Sequence, residues 1–312
     1  MLEKLNKIII FILITQNIFI GCHNKEKTNT MSNKNEMTTQ GQGELYGLEF
    51  NIKVPCEIRI NDLVVSKNLL SGVTGPEIIN QYIKNSGEQN VSLEVIHPYW
   101  AKGGLFDDSA LKSILNGTFI QTIEPQNDYQ VKTVKSLIFP SINEKVPKFE
   151  YKWTFNANVP YTLKSWDDAQ DLSKFDKKEL KIQVIEKYKQ LWNLLQSGNV
   201  EEFMKEIDSS NNDLFLSNYY DKNKQSEYTQ NLRNFYTHHK GVMQPMDDTE
   251  LVFLANGKGV ALEQTGQFKG FGVLMAKGTV QNSLFTNYIT LIKSKKTDTF
   301  KIQLINSEYI KY

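Results

Sequence analysis

The sequence predicts two folded regions, a mainly β region followed by an α+β region. Residues 45–161 alternate apolar and polar side chains with a period of two, which is typical of half-buried strands. Near Tyr161 the apolar spacing changes to that of a helix, and after Gly241 strand patterns return. We therefore expect an antiparallel β-sandwich over residues 44–162, followed by helices on a curved antiparallel sheet over residues 163–312.

The strands of the first region are defined by their alternation and by the turn residues between them. The clearest alternating runs are residues 48–53, 56–61, 91–95 and 149–155. Asn116-Gly117 stands between two apolar pairs and predicts a hairpin, because both residues accept positive φ angles. Short strands at this spacing favour a small β-sandwich.

The second region begins with a strongly amphipathic segment. Apolar side chains over residues 180–195 fall on one helical face. Gly198 predicts the end of this helix and Asn199 the N-cap of the next, with acidic residues in its first turn. A weaker helix is predicted around residues 228–236, where aromatic and leucine side chains recur at helical spacing.

Strand patterns close the chain. Residues 251–255 and 260–264 flank Asn256-Gly257, which predicts a hairpin. Three further strands are predicted at residues 271–277, 284–292 and 300–305. Together they predict an antiparallel sheet of four or five strands behind the helices.

One segment of the second region resembles a known superfamily. Residues 191–203 read Leu-Trp-Asn-Leu-Leu-Gln-Ser-Gly-Asn-Val-Glu-Glu-Phe, a helix, a glycine, a polar residue and a second helix. This pattern is similar to the opening of the NTF2-like (SnoaL-like) superfamily. The resemblance implies a cone of helices and sheet whose mouth serves as a catalytic pocket, a ligand pocket or an interaction surface, and fold alone does not choose among them.

The N-terminus has the pattern of a secretion signal. Residues 1–21 combine two lysines with an apolar stretch that is too short for a membrane span. The run Phe19-Ile20-Gly21-Cys22 resembles the lipobox of bacterial lipoproteins, which implies cleavage between Gly21 and Cys22 and lipidation of Cys22. A plain signal peptide cleaved elsewhere and an uncleaved anchor are the alternatives. Residues 22–43 are polar and predict a flexible tether.

Composition and residue counts exclude several function classes. The net charge of +1 argues against a nucleic-acid partner, which requires a basic surface. If Cys22 carries lipid, Cys56 is the one remaining thiol, so no internal disulfide forms, and its apolar neighbours predict a buried structural role. With two cysteines and four histidines in the sequence, we expect no metal and no cofactor.

No set of residues has the pattern of a catalytic site. A nucleophilic enzyme needs a serine or cysteine with a histidine base, and the sequence has no Gly-x-Ser-x-Gly elbow. The adjacent pair His238-His239 points to different helical faces and predicts a capping role. The aspartate pairs predict turns and caps and lack calcium-loop spacing. They are Asp107-Asp108, Asp167-Asp168 and Asp247-Asp248.

These observations favour a lipoprotein that is anchored in the bacterial cell envelope, at the outer membrane or the periplasmic face, and that binds a protein partner without catalysis. An immunity-type protein is one version. Tyr219 and Tyr220 are the candidate binding residues, because aromatic side chains dominate interface energies. The alternatives are a hydrolase or isomerase that uses the cone, and a carrier of an apolar ligand there. Candidate polar groups inside the cone are Glu263, Gln264, Gln281 and Tyr288.

Overall fold

The computed structural model describes residues 43–312, which belong to one compact unit of antiparallel strands and α-helices. The signal peptide, the lipobox at Gly21 and Cys22, and nearly all of the tether lie outside the described residues. None of the helices in the described part is long and apolar enough to cross a bilayer. Because both predicted regions share this unit, their division at residue 162 stays a prediction.

The first region contains two four-stranded antiparallel sheets. Its strands are β1 (Leu45–Glu49), β2 (Asn51–Ile52), β3 (Cys56–Ile60), β4 (Leu63–Asn68), β5 (Val73–Thr74), β6 (Glu77–Ile78), β7 (Gly87–Ile96), β8 (Phe119–Glu124), β9 (Gln130–Ser136) and β10 (Lys148–Ala157). One sheet has the order β6-β1-β8-β9, the other has the order β10-β7-β3-β4, and β2 pairs with β5. Leu48 of the first sheet and Ile58 and Leu93 of the second belong to one hydrophobic core.

The hairpin predicted at Asn116-Gly117 is wrong. The residues before it form helix α1 (Asp108–Ile114), whose N-cap Asp107 accepts a hydrogen bond from the backbone N–H of Ala110 at 2.9 Å. Gly117 has a φ of +76° and turns the chain from the helix end into β8. Of the two residues, Gly117 alone has the positive φ angle that the hairpin required, and it serves a helix-to-strand turn.

Four further helices follow in the second region of the described chain: α2 (Lys177–Ser197), α3 (Val200–Glu206), α4 (Asp208–Ser217) and α5 (Lys222–Thr237). Gly198 ends α2 in the left-handed conformation with φ +76°, as predicted. Asn199 occupies the N-cap position of α3, but its side chain makes no capping hydrogen bond. Helix α4 was not predicted, because its sequence is rich in serine and asparagine and lacks a clear apolar stripe.

The final strands form the predicted antiparallel sheet, with five strands in the described chain. They are β11 (Thr249–Leu254), β12 (Gly259–Gln264), β13 (Leu274–Lys277), β14 (Ser283–Lys293) and β15 (Phe300–Lys311). The order is β11-β12-β14-β13, and β15 pairs along β14. The hairpin predicted at Asn256-Gly257 joins β11 to β12.

This five-stranded sheet is covered on both faces. Val260 and Leu262 belong to the core formed with the helices, whereas Ala261 between them belongs to the core of the first region. On β14, Ile289 likewise belongs to the core formed with the helices, whereas Tyr288 belongs to the core of the first region. Successive side chains of a strand point to opposite faces, so helices cover one face and strands of the first region cover the other.

Candidate binding surface

Exposed large apolar side chains are concentrated in one stretch of the first region. Among the residues that the structure describes, thirteen such side chains are exposed, and eight of them lie between residues 99 and 151. They are Tyr99, Trp100, Leu105, Tyr129, Val131, Val134, Ile138 and Tyr151. Contiguous exposed apolar surface marks interaction sites, so this stretch is where we look for one.

The most exposed aromatic pair lies in the segment of residues 97–106, which we call the aromatic loop. It connects β7 to α1 and contains a 3-10 turn at Trp100–Lys102. Tyr99 is 65% exposed, Trp100 60% and Leu105 45%. Tryptophan and tyrosine are the residue types that most often provide the binding energy of a protein interface.

Backbone hydrogen bonds hold the aromatic loop in place. The N–H of Trp100 donates to the carbonyl of His97 at 2.9 Å, and the N–H groups of Phe106 and Val146 each donate to the other residue's carbonyl at 2.8 and 3.0 Å. The ring of His97 packs on Phe106 with 4.9 Å between centroids. The loop is therefore preorganised, which lowers the entropy cost of binding.

A second group of exposed side chains, Val131, Val134, Ile138 and Tyr151, lies along β9, the segment after it and β10; we call it the edge patch. Strands β9 and β10 are each the last strand of their sheet order. The indole N–H of Trp153 donates to the carbonyl of Ile138 at 3.1 Å, and the ring of Tyr151 contacts that indole at 5.1 Å. Ile138 and Tyr151 therefore flank the same tryptophan.

Tyr219 and Tyr220, the predicted binding residues, are only half-buried and make contacts within the molecule. The hydroxyl of Tyr219 donates to the carbonyl of Glu44 at 3.3 Å. The ring of Tyr220 stacks on Phe215 at 5.9 Å and meets Tyr228 at 6.0 Å. Their role in binding stays a prediction.

The predicted polar candidates Glu263 and Tyr288 do come together, but on the sheet face that meets the first region. The Tyr288 hydroxyl donates to Glu263 at 2.6 Å, and the ammonium of Lys67 lies 2.8 Å from Glu263 and 2.6 Å from Glu57. Arg59 contacts Glu57 on its other side. We call these five residues the ionic network. Gln264 is half-buried and Gln281 is exposed, and neither belongs to the network.

The ionic network is buried, and this determines its electrostatics. Burial raises the pKa of Glu263, although Lys67 and Tyr288 oppose the shift. Burial also acts to raise the pKa of Glu57, but Lys67 and Arg59 outweigh it and hold that pKa below its ordinary value. Both carboxylates are already engaged, Glu57 by Lys67 and Arg59 and Glu263 by Lys67 and Tyr288, so the arrangement favours a structural link over proton transfer.

A narrow crevice lies beside the network and is lined by a further carboxyl group, that of Glu308. Its cavity is about 20 Å³, room for one water molecule and far too small for an organic substrate. Glu308 lines the crevice, and burial together with the nearby Glu77 raises its pKa to about 8. Burial raises the pKa of Glu77 to about 7.

The space between the helices and the sheet is filled by side chains. Leu274 and Ile289 are fully buried there, and the hydroxyl of Tyr188 on α2 donates to the carbonyl of Ile289 at 2.6 Å. Phe285 is half-buried against Phe235. Phe271 belongs to a separate small cluster with Met275, Leu284 and Ile310.

Two further potentially reactive side chains, Cys56 and His239, are buried. Cys56 is fully buried, and burial raises its thiol pKa to about 12, which agrees with the predicted structural role. His239 is 2% exposed, and burial lowers its pKa to about 4. The described part of the chain contains no group of three acidic, histidine or cysteine residues that could hold a metal ion.

Comparison with protein-family models, with curated proteins and with solved structures finds no match to this chain. Sequence reasoning missed the aromatic loop, although Tyr99-Trp100 followed by Gly103-Gly104 could have indicated a protruding turn. It also missed Lys67, which no local pattern connects to Glu263, 196 positions further along the chain.

Proposed function

We propose that this protein is a lipoprotein of the bacterial cell envelope that binds a protein partner without catalysis. Acyl chains on Cys22 would anchor it, and residues 22–43 would tether the folded unit to the outer membrane or the periplasmic face. The lipobox-like run before Cys22 and the polar tether support the anchor. We also propose that the two sheets of the first region form a β-sandwich and that the second region has an NTF2-like arrangement.

The observation that carries the binding proposal is the exposure of Tyr99 and Trp100 on a loop that is fixed by hydrogen bonds. Exposing this much aromatic surface to water is unfavourable, at roughly 25 cal/mol for each Å². A partner that covers these rings would recover that free energy without first having to order the loop. An immunity-type protein, which covers a toxin, is one form that such binding could take.

The alternatives of an enzyme or an apolar-ligand carrier both need an open space between the helices and the sheet. Leu274, Ile289 and Tyr188 occupy that space, and the crevice at Glu308 has room for one water molecule. Neither location offers a substrate-sized pocket. The observations therefore favour recognition at the surface.

The anchor is tested by the variant Cys22→Ser. We expect intact-mass spectrometry of the wild-type protein to find acyl chains, and the variant to lose that mass and leave the membrane fraction. A variant that remains in the membrane fraction at wild-type level would mean that the apolar segment of residues 1–21 is itself the anchor.

Binding is tested by the pair Trp100→Ala and Ile182→Ala. These side chains have similar exposure, 60% and 56%, but lie in different regions. We expect a partner crosslinked and captured from detergent-solubilised envelope to be lost with Trp100→Ala and kept with Ile182→Ala. Equal capture by both variants would exclude the aromatic loop as the binding surface.

A further inference from the structure

The edge of β9 combines features that a neighbouring strand could satisfy. Strand β9 has seven residues, six of them exposed, and its one partner among the described strands is β8. Its backbone therefore presents an unpaired edge, which is a template for another extended segment.

An irregularity in the β8–β9 pairing places the two lysines of β9 on one face. Lys132 pairs with Thr122 and Lys135 with Ile120, and these partners are two residues apart on β8. Residues two apart on a strand share a face, so both lysines lie on that face too. Val131 pairs with Ile123 and lies on the opposite face.

Neither lysine has an acidic partner in the described chain. No ion pair involves Lys132 or Lys135, and the β8 residues opposite them are uncharged. Ile120 and Thr122 are buried on this face, Lys132 is exposed and Lys135 is half-buried, and Glu124 of β8 shares the face two residues from Thr122. The edge of β9 itself thus carries two lysines on one face and an exposed valine on the other. An incoming strand that alternates acidic and apolar residues would match both faces.

We infer that β9 is a strand-addition site for an extended acidic and apolar segment of the partner protein. This inference rests on the proposed function and specifies how the partner binds. A second copy of this chain fits poorly, because pairing two β9 strands would bring four lysines onto one ladder. The partner's carboxylates would meet Lys132 and Lys135, and its apolar side chains would cover Val131.

The test uses the full-length protein in detergent micelles at low ionic strength, with two blocked seven-residue peptides. One peptide alternates glutamate and valine, and the other alternates lysine and valine. We expect the acidic peptide to bind at least roughly tenfold more tightly, as measured by fluorescence anisotropy. Hydrogen exchange should slow at the β9 amides when it binds.

The decisive variant is Lys132→Glu with Lys135→Glu, which should reverse the preference so that the basic peptide binds more tightly. The matched control is Lys177→Glu with Lys178→Glu, an equal change in net charge at exposed positions of α2. The control should keep the wild-type preference. A reversal seen only with the β9 variant could then not be caused by the change in overall charge.

Three results would each overturn the inference: equal binding of both peptides, a preference that does not reverse in the variant, or unchanged hydrogen exchange at the β9 amides. The lysines would then serve only to prevent edge-to-edge aggregation. Those results would leave the proposed function unaffected, because its test is the capture of a partner through Trp100. Capture that does not depend on Trp100, together with a reversible peptide preference, would instead exclude the aromatic loop as the binding surface and keep the strand-addition site.

Discussion

The first region and the second region differ in how many large apolar side chains they expose to solvent. Residues 99–151 of the first region hold eight exposed large apolar side chains, whereas the whole second region exposes four, and these are scattered along it: Ile182, Leu216, Val280 and Tyr312. The five-stranded sheet of the second region is buried on both faces. This contrast supports our proposal that the first region binds the partner, while the second region mainly stabilises the fold.

The two faces of the five-stranded sheet differ as well. The helix face is apolar, and the buried Tyr188 hydroxyl makes hydrogen bonds to the backbone of two strands. The opposite face meets the first region through the ionic network, which joins Lys67 to Glu57 and Glu263. Apolar packing on one face supplies stability, and we expect the need to pair the buried charges on the other face to constrain the alignment of the two regions.

The largest expected effect comes from breaking the ionic network. Lys67→Met leaves Glu263 buried with no cation, so we expect the free energy of unfolding to fall by about 3–5 kcal/mol. Chemical denaturation measures this loss. The double variant Lys67→Met with Glu263→Met should recover much of it; if the single variant were as stable as the wild type, the two regions would not depend on this contact.

A smaller loss is expected on the helix face. Tyr188→Phe removes a hydroxyl that donates to the Ile289 carbonyl and accepts from the Leu262 N–H at 3.2 Å. Both backbone groups are buried, so the free energy of unfolding should fall by about 1–3 kcal/mol. The control Tyr309→Phe changes a half-buried tyrosine on β15. Equal effects of the two substitutions would contradict the assigned role of Tyr188.

The carboxyl pair Glu77 and Glu308 predicts a pH dependence. Their pKa values of about 7 and about 8 in the folded chain lie above the ordinary value of 4.5, because burial disfavours the charged form. Their contribution to stability is therefore complete below pH 4.5 and is lost as the pH rises through 7 and 8.

Glu308→Gln tests that dependence, because glutamine stays neutral throughout. Urea unfolding between pH 6 and pH 8.5 should show stability falling with pH in the wild type and falling less in the variant. The control Glu150→Gln alters an exposed carboxyl on β10 and should keep the wild-type slope. Parallel curves for wild type and Glu308→Gln would mean that the pair does not hold its protons in the folded state.

The smallest effect on stability is expected at the aromatic loop. Trp100→Ala changes an exposed side chain, so the free energy of unfolding should shift by no more than about 0.5 kcal/mol. Thermal unfolding measures the shift. A loss of several kcal/mol would show that Trp100 belongs to the fold and would remove the contrast between the two regions.

Much of the architecture could be predicted from local patterns. The period-two runs became β3, β7 and β10, and the apolar stripe of residues 180–195 became α2. Local chemistry also placed Gly198 correctly, because few residues other than glycine adopt its φ angle easily. Helices α1 and α4 were missed, since short polar helices depend on tertiary packing more than on their own periodicity.

The sites were harder to predict than the elements. Glu263 and Tyr288 were candidates from sequence, and they do meet, but their partner Lys67 comes from the other region. Trp100 lies in the loop between β7 and α1, and its exposure depends on the tertiary packing around that loop, which no single segment encodes. Neighbouring aromatic side chains cover part of the Tyr219 and Tyr220 rings, a contact that their own sequence segment does not reveal, and their role in binding stays a prediction.

The most direct test of recognition by the first region is site-specific photo-crosslinking in intact cells. A photoreactive amino acid replaces Trp100 in one sample and the similarly exposed Ile182 in the other. We expect a discrete covalent adduct with one envelope protein at position 100 and none at position 182. An adduct at position 182 alone, or no adduct at position 100, would contradict the assignment of binding to the aromatic loop.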